Sequence, residues 1–166
     1  MISRSVYKVG MMTTALLLGT LELKTERPVP GEPIWVSMTI TNGSDQELVI
    51  VNPEVGVPPP DLNWRASNEA YQIGVLMSFG LIQITLKDAN GVLVESKGLM
   101  PWVTPIFGKR ALQPHDSLAL DFDLNELFSI NLAGLYNVQV RYGKDGVYAD
   151  ASTDLEIMPS QRGLTR

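Results

Sequence analysis

Apolar and polar side chains alternate with a period of two along most of the chain, which predicts a succession of strands. Leu21 and Leu23 alternate with Glu22 and Lys24. Ile34, Val36, Met38 and Ile40 then point one way while Trp35, Ser37, Thr39 and Thr41 point the other, the pattern of a long strand with one wetted face. Leu118, Leu120, Phe122 and Leu124 alternate with Ala119, Asp121 and Asp123, which predicts a buried face and an outward acidic one. Tyr136, Val138, Val140 and Tyr142 repeat the device with Asn137, Gln139 and Arg141 outward, and a final strand ends near Met158.

Turn chemistry separates these runs. Asn42-Gly43 tolerates positive φ at both residues and predicts a tight hairpin that pairs the 34–41 strand with residues 47–51. Asp88-Ala89-Asn90-Gly91 predicts a second hairpin, from 81–87 into 92–96, and Gly143-Lys144-Asp145-Gly146 a third. Residues 52–70, with Pro58-Pro59-Pro60, and residues 97–110, with Pro101 and Pro105, read as long connections. Residues 71–79 are apolar but irregular and stop at Gly80, and residues 125–128 suit a single helical turn. No sustained amphipathic helix is expected.

Seven to nine short strands with turns every eight to twelve residues predict an all-β fold, an antiparallel β-sandwich of immunoglobulin-like type over residues 21–158, since one sheet alone would leave an apolar face in water. A barrel is the alternative. Residues 159–166 read as a loose tail. Residues 1–20 carry Arg4 and Lys8 ahead of an uncharged stretch, the shape of a short signal peptide, or else they form an N-terminal edge segment of the domain. Export is the favoured localisation, and the stretch is too short to span a membrane.

Composition narrows the function. The 166-residue chain is 45% apolar, enough for a real core, and its net charge of −5 argues against a surface that tracks phosphates. With no cysteine and one histidine, thiolate and His-paired metal sites are excluded, and no cofactor is expected. His115, in a Pro-His-Asp turn, reads as a solvated turn residue because no nucleophile or orienting partner accompanies it. Asp121 and Asp123 share a strand face, where paired carboxylates can bind a cation, but outward positions of an alternating strand explain them as well. Asp88 opens a calcium-loop-like run that lacks the closing Glu, and Asn42-Gly43-Ser44 matches a glycosylation acceptor that a turn explains equally.

Three stretches taken together resemble a known group: Pro30-Gly31-Glu32-Pro33-Ile34 leading to Thr39-Ile40-Thr41-Asn42-Gly43-Ser44-Asp45, then Leu112-Gln113-Pro114-His115-Asp116-Ser117, then Ala133-Gly134-Leu135-Tyr136-Asn137-Val138. In that order they resemble bacterial immunoglobulin-like modules, in particular the non-catalytic N-terminal region of deuterolysin-like metalloendopeptidases and, more distantly, the bacterial intracellular proteinase inhibitor domain. The resemblance implies a structural role for Gly31, Asn42-Gly43 and the corner tyrosine Tyr136. Where these modules usually have a glycine and an acid, this chain has His115-Asp116.

The functional expectation is a non-catalytic binding or accessory module whose two long connections meet a protein or polysaccharide partner. Trp64 and Arg65 in the first connection, and Trp102, Phe107 and Arg110 in the second, are the candidate contacts, because aromatic and Arg groups on irregular segments bury much area at small entropic cost. The alternative is a proteinase inhibitor acting through the proline-stiffened segment 98–108.

Overall fold

The computed structural model describes residues 16–53, 68–98 and 107–160. They form the expected antiparallel β-sandwich with eight strands. Strands β1 (Leu17–Leu23), β2 (Trp35–Asn42) and β6 (Ser117–Asp123) make one sheet in the order β1-β2-β6. Strands β4 (Ile82–Asp88), β7 (Gly134–Lys144) and β8 (Val147–Ile157) make the other in the order β4-β7-β8. A two-stranded ribbon of β3 (Leu48–Val51) and β5 (Lys109–Leu112) stands at one end.

The alternation read from sequence is the alternation of burial. Ile34, Val36, Met38 and Ile40 are all fully buried, and opposite them Val138, Val140, Tyr142, Leu155 and Ile157 close the same core. The reverse face of β2 is drier than expected: Ser37 is buried and Trp35, Thr39 and Thr41 are half-buried. That follows from its central place, since β2 carries β1 on one side and β6 on the other.

The two sheets meet without pairing where β1 passes β8. A Cβ on Gly19 would lie 2.7 Å from the carbonyl oxygen of Asp150, so only glycine permits this approach. Residues 17–20, read as part of a candidate leader or edge segment, are thus in β1, with Leu17 inside the core.

The chain departs from the sequence reading at four places. Asn42-Gly43 is not a two-residue hairpin: β2 and β3 do not pair, β3 pairs instead with β5, and neither Asn42 nor Gly43 has positive φ. The Asn42 side chain is fully buried, and its amide donates to the carbonyls of Gln46, Leu112 and Gln113 at 2.7, 3.0 and 3.2 Å while its oxygen accepts from Ser44. The chain is tied at this point as it crosses between sheets, and a buried amide is no glycosylation acceptor. Secondly, Asp123 does not face water; it is buried and its Oδ1 accepts from the amides of Ile34 (2.8 Å) and Asn125 (2.9 Å), capping the short helix α2 (Leu124–Leu127). Asp121 therefore has no paired carboxylate.

Thirdly, the irregular apolar run is a helix, α1 (Asn68–Ser78). Ala70, Tyr71, Ile73, Val75 and Leu76 are all buried, so the helix is apolar nearly all round and shows no period-3.6 contrast. It ends in a Schellman motif: Gly80, at φ 69°, donates to Met77 and Leu81 donates to Leu76. Fourthly, residues 92–96 return along β4 as expected but make only isolated bridges, Lys87 to Leu93 and Ser96 to Phe128.

Other turns are as read. Asp145 and Gly146, at φ 55° and 87°, form a two-residue hairpin with both residues left-handed, and Asp88 Oδ1 accepts from the amides of Asn90 and Val92. His115 takes φ 66°, the conformation a glycine would supply, and its imidazole lies exposed 3.5 Å from Asp45. At the start of β7, Tyr136 Oη donates to the carbonyl of Leu132 at 2.9 Å, so the expected corner is built. Burial, and secondarily the charge of Asp88, raises the Tyr136 pKa above 10.0. We expect Tyr136→Phe to lower stability by about 1 kcal/mol, read as a shifted urea midpoint with unchanged slope.

Candidate binding face

Three of the five residues expected to make contacts, Trp64, Arg65 and Trp102, lie outside the described residues, as do residues 99–106 of the proline-stiffened segment. Phe107 is half-buried against the core and meets Phe79, just past the end of α1, edge-to-face at 5.6 Å. Arg110 is not on a connection. It belongs to β5 and pairs with Ile50, because the second connection ends earlier than its composition suggests.

The most regular exposed surface of the described residues is the outer face of β4-β7-β8. Register places its side chains in rows across three strands: Gln83, Arg141 and Asp150; then Thr85, Gln139 and Ser152; then Lys87, Asn137 and Asp154. Strands about 4.8 Å apart, with same-face residues about 6.7 Å apart along each, make this a grid of hydrogen-bonding groups on a rigid backing. The first two rows and Gly19 of β1 line an open trough of about 550 Å³. Gly19 adds backbone but no side chain, which widens the trough at the seam between the sheets.

Local contacts hold several of these groups in place. Arg141 Nε donates to Asp150 Oδ1 at 2.6 Å and its NH2 group to Oδ2 at 3.2 Å, while its guanidinium lies 5.1 Å from the centre of the exposed Tyr148 ring. The hydrogen bond to Asp150, and then that carboxylate's charge, raise the Arg141 pKa further. Asn137 donates to Asp154 at 2.7 Å. The arrangement presents donors and acceptors in fixed directions, with Tyr148 as an aromatic edge.

Sequence reasoning named Asn137, Gln139 and Arg141 as outward but did not join them into a site. The missing information was the register that sets them beside Gln83, Thr85, Asp150 and Ser152.

Among the described residues no group of three or more His, Cys, Asp or Glu side chains is placed to hold a metal ion. No helix among them is long and apolar enough to cross a membrane.

No protein-family model matches the chain, and no curated protein does. Solved structures with a similar arrangement include a β-glucosidase from Erythrobacter marinus (10% identity, TM-score 0.42, 87% of this chain and 16% of that one). A β-glucosidase from Listeria innocua is similar at 17% identity and TM-score 0.42, covering 89% of this chain and 16% of that one. A Bacteroides uniformis β-glucuronidase is similar at 9% identity and TM-score 0.35, covering 84% and 12% respectively. The chain thus spans about one sixth or less of the length of each of these proteins, a share too small to transfer their activity to it.

Proposed function

We propose that the protein is a non-catalytic, immunoglobulin-like binding module that holds an extended, polyhydroxylated partner such as a polysaccharide along the β4-β7-β8 face. The observation that carries this reading is the grid of Gln83, Thr85, Gln139, Arg141, Asp150 and Ser152 lining one trough. Its amide, hydroxyl, guanidinium and carboxylate groups match the closely spaced hydroxyls of a sugar chain. Protein interfaces concentrate their energy in buried aromatic and aliphatic anchors instead, and the trough offers little apolar lining beyond Val140 and Ala151. The strand order β1-β2-β6 opposite β4-β7-β8 and the corner tyrosine support the immunoglobulin-like part of the reading. A rigid sheet suits the role, because side chains already fixed by neighbours lose little freedom on binding.

The test is retention on a panel of immobilised or soluble glucans, xylans and mannans, with titration calorimetry on any that bind. The expected result is saturable binding to at least one, weakened at least tenfold, about 1.4 kcal/mol, by Gln139→Ala with Arg141→Ala, at unchanged thermal stability. No binding to any polysaccharide, or binding indifferent to that double substitution, overturns the proposal. A protein captured by the native chain and lost with the same double substitution would replace the sugar with a protein partner.

A further inference from the structure

At the hairpin end of β7 and β8 lies a smaller hollow of about 310 Å³. Its walls are Leu17 of β1, Val51 of β3, Tyr142 of β7 and Val147 of β8. The polar groups of these walls are already engaged: the Tyr142 hydroxyl donates to the carbonyl of Val51, so neither atom competes for a ligand. Burial raises the Tyr142 pKa to about 12, as expected for a phenol removed from water.

Two cations line the same hollow. Lys109 stands opposite Val51 on the β3-β5 ribbon, and Lys144 stands opposite Val147 at the β7-β8 turn. Both are exposed, and neither ammonium has an ion-pair or hydrogen-bond partner among the described residues. The neighbouring acid lining it is Asp145 in the turn, which leaves this opening net positive on a chain whose overall charge is −5. Elsewhere on the described surface Lys24 is matched to Glu22 and Arg141 to Asp150.

We infer that this hollow is a second binding site, distinct from the polar face, for a small amphiphilic anion. The carboxylate or equivalent head sits between Lys109 and Lys144, and the apolar tail lies on Leu17, Val51, Tyr142 and Val147. Charge complementarity selects the head, and the dry walls select the tail. The volume, at the low end of the roughly 300–1,000 Å³ of ligand pockets, limits the tail to a short or medium chain.

Calorimetry on the full chain, with decanoate, decanol and decyltrimethylammonium as probes below their aggregation limits, tests this. Decanoate is expected to bind saturably and to raise the melting temperature, decanol to bind at least tenfold more weakly, and the cation not at all. Lys109→Gln with Lys144→Gln, both exposed and structurally undemanding, should weaken decanoate at least tenfold while leaving decanol unchanged. Arg141→Ala should leave decanoate unaffected, which keeps this site separable from the polar face. Equal affinity for decanoate and decanol, indifference of decanoate to the double lysine substitution, or absence of saturable decanoate binding overturns the inference.

Discussion

Asn42→Leu is expected to destabilise the protein by about 3 kcal/mol, although leucine has the same branched outline as asparagine and the site is buried. The loss comes from groups left behind: the carbonyls of Gln46, Leu112 and Gln113 and the amide of Ser44 all address the Asn42 side chain. An unsatisfied buried group costs about 1–3 kcal/mol. The carbonyls of Gln46 and Gln113 retain other donors in Ser44 Oγ and the Asp116 amide, and Leu112 is paired with Leu48 in the β3-β5 ladder, so the loss is shared among the four contacts. Asn42→Asp sharpens the test. It keeps the acceptor for Ser44 but sets an anion against three carbonyl oxygens, so the folded state would hold that proton more tightly than the unfolded chain. Stability of Asn42→Asp should therefore rise as pH falls through the carboxylate range, while Asn42→Leu shows no such added dependence. Denaturant unfolding at pH 7 and pH 4, each relative to the native chain, reads both effects; a loss below 1 kcal/mol for Asn42→Leu would show that the amide is dispensable.

Gly143→Ala is expected to cost about 4 kcal/mol, in the range reserved for strain that the surroundings cannot relieve. Gly143 has φ 135°, and a Cβ there would fall 2.0 Å from the carbonyl oxygen of Val147. The obstacle is backbone in the paired strand, not a side chain that can turn aside. Gly146, in the same hairpin at φ 87°, has nothing within 4 Å of its Cβ position. Gly146→Ala then reports the cost of left-handed backbone alone, roughly 1–2 kcal/mol. The difference between the two melting temperatures reads the added cost of the collision together with that of φ 135°, and equal values would mean that the hairpin yields at little cost.

Much of the fold was legible because strands with one buried face write their orientation into the sequence at every second residue. β1, β2, β6 and β7 were readable in this way, as were the turns at residues 88–91 and 143–146. α1 escaped because burial on nearly every side erases the polar stripe that marks an ordinary helix. Its stop signal at Gly80 was visible, but a glycine after an apolar run marks a strand end equally well. Asp123 was misplaced for a related reason: alternation assigns a face, yet a cap at a strand-to-helix junction turns the last residue inward to serve two amides.

Asn42-Gly43 shows the limit of local signals. The same two residues suit a tight hairpin and a buried tie, and the choice depends on carbonyls of residues 112 and 113, some 70 positions away in the chain. Of the candidate contacts, Phe107 and Arg110 changed meaning once the helix and β5 were in place, Phe107 meeting Phe79 edge-to-face and Arg110 becoming a strand residue.

By itself the sequence determined that the chain is all-β, which apolar strand residues face the core, and where most of the tight turns fall, because these depend on neighbours a few positions apart. Only the tertiary structure decided which strands pair, where Asn42 and Asp123 direct their side chains, and which polar residues share the trough or the lysine-lined hollow. Those outcomes depend on register between strands far apart in the chain, set by the packing of the whole core and by no single segment.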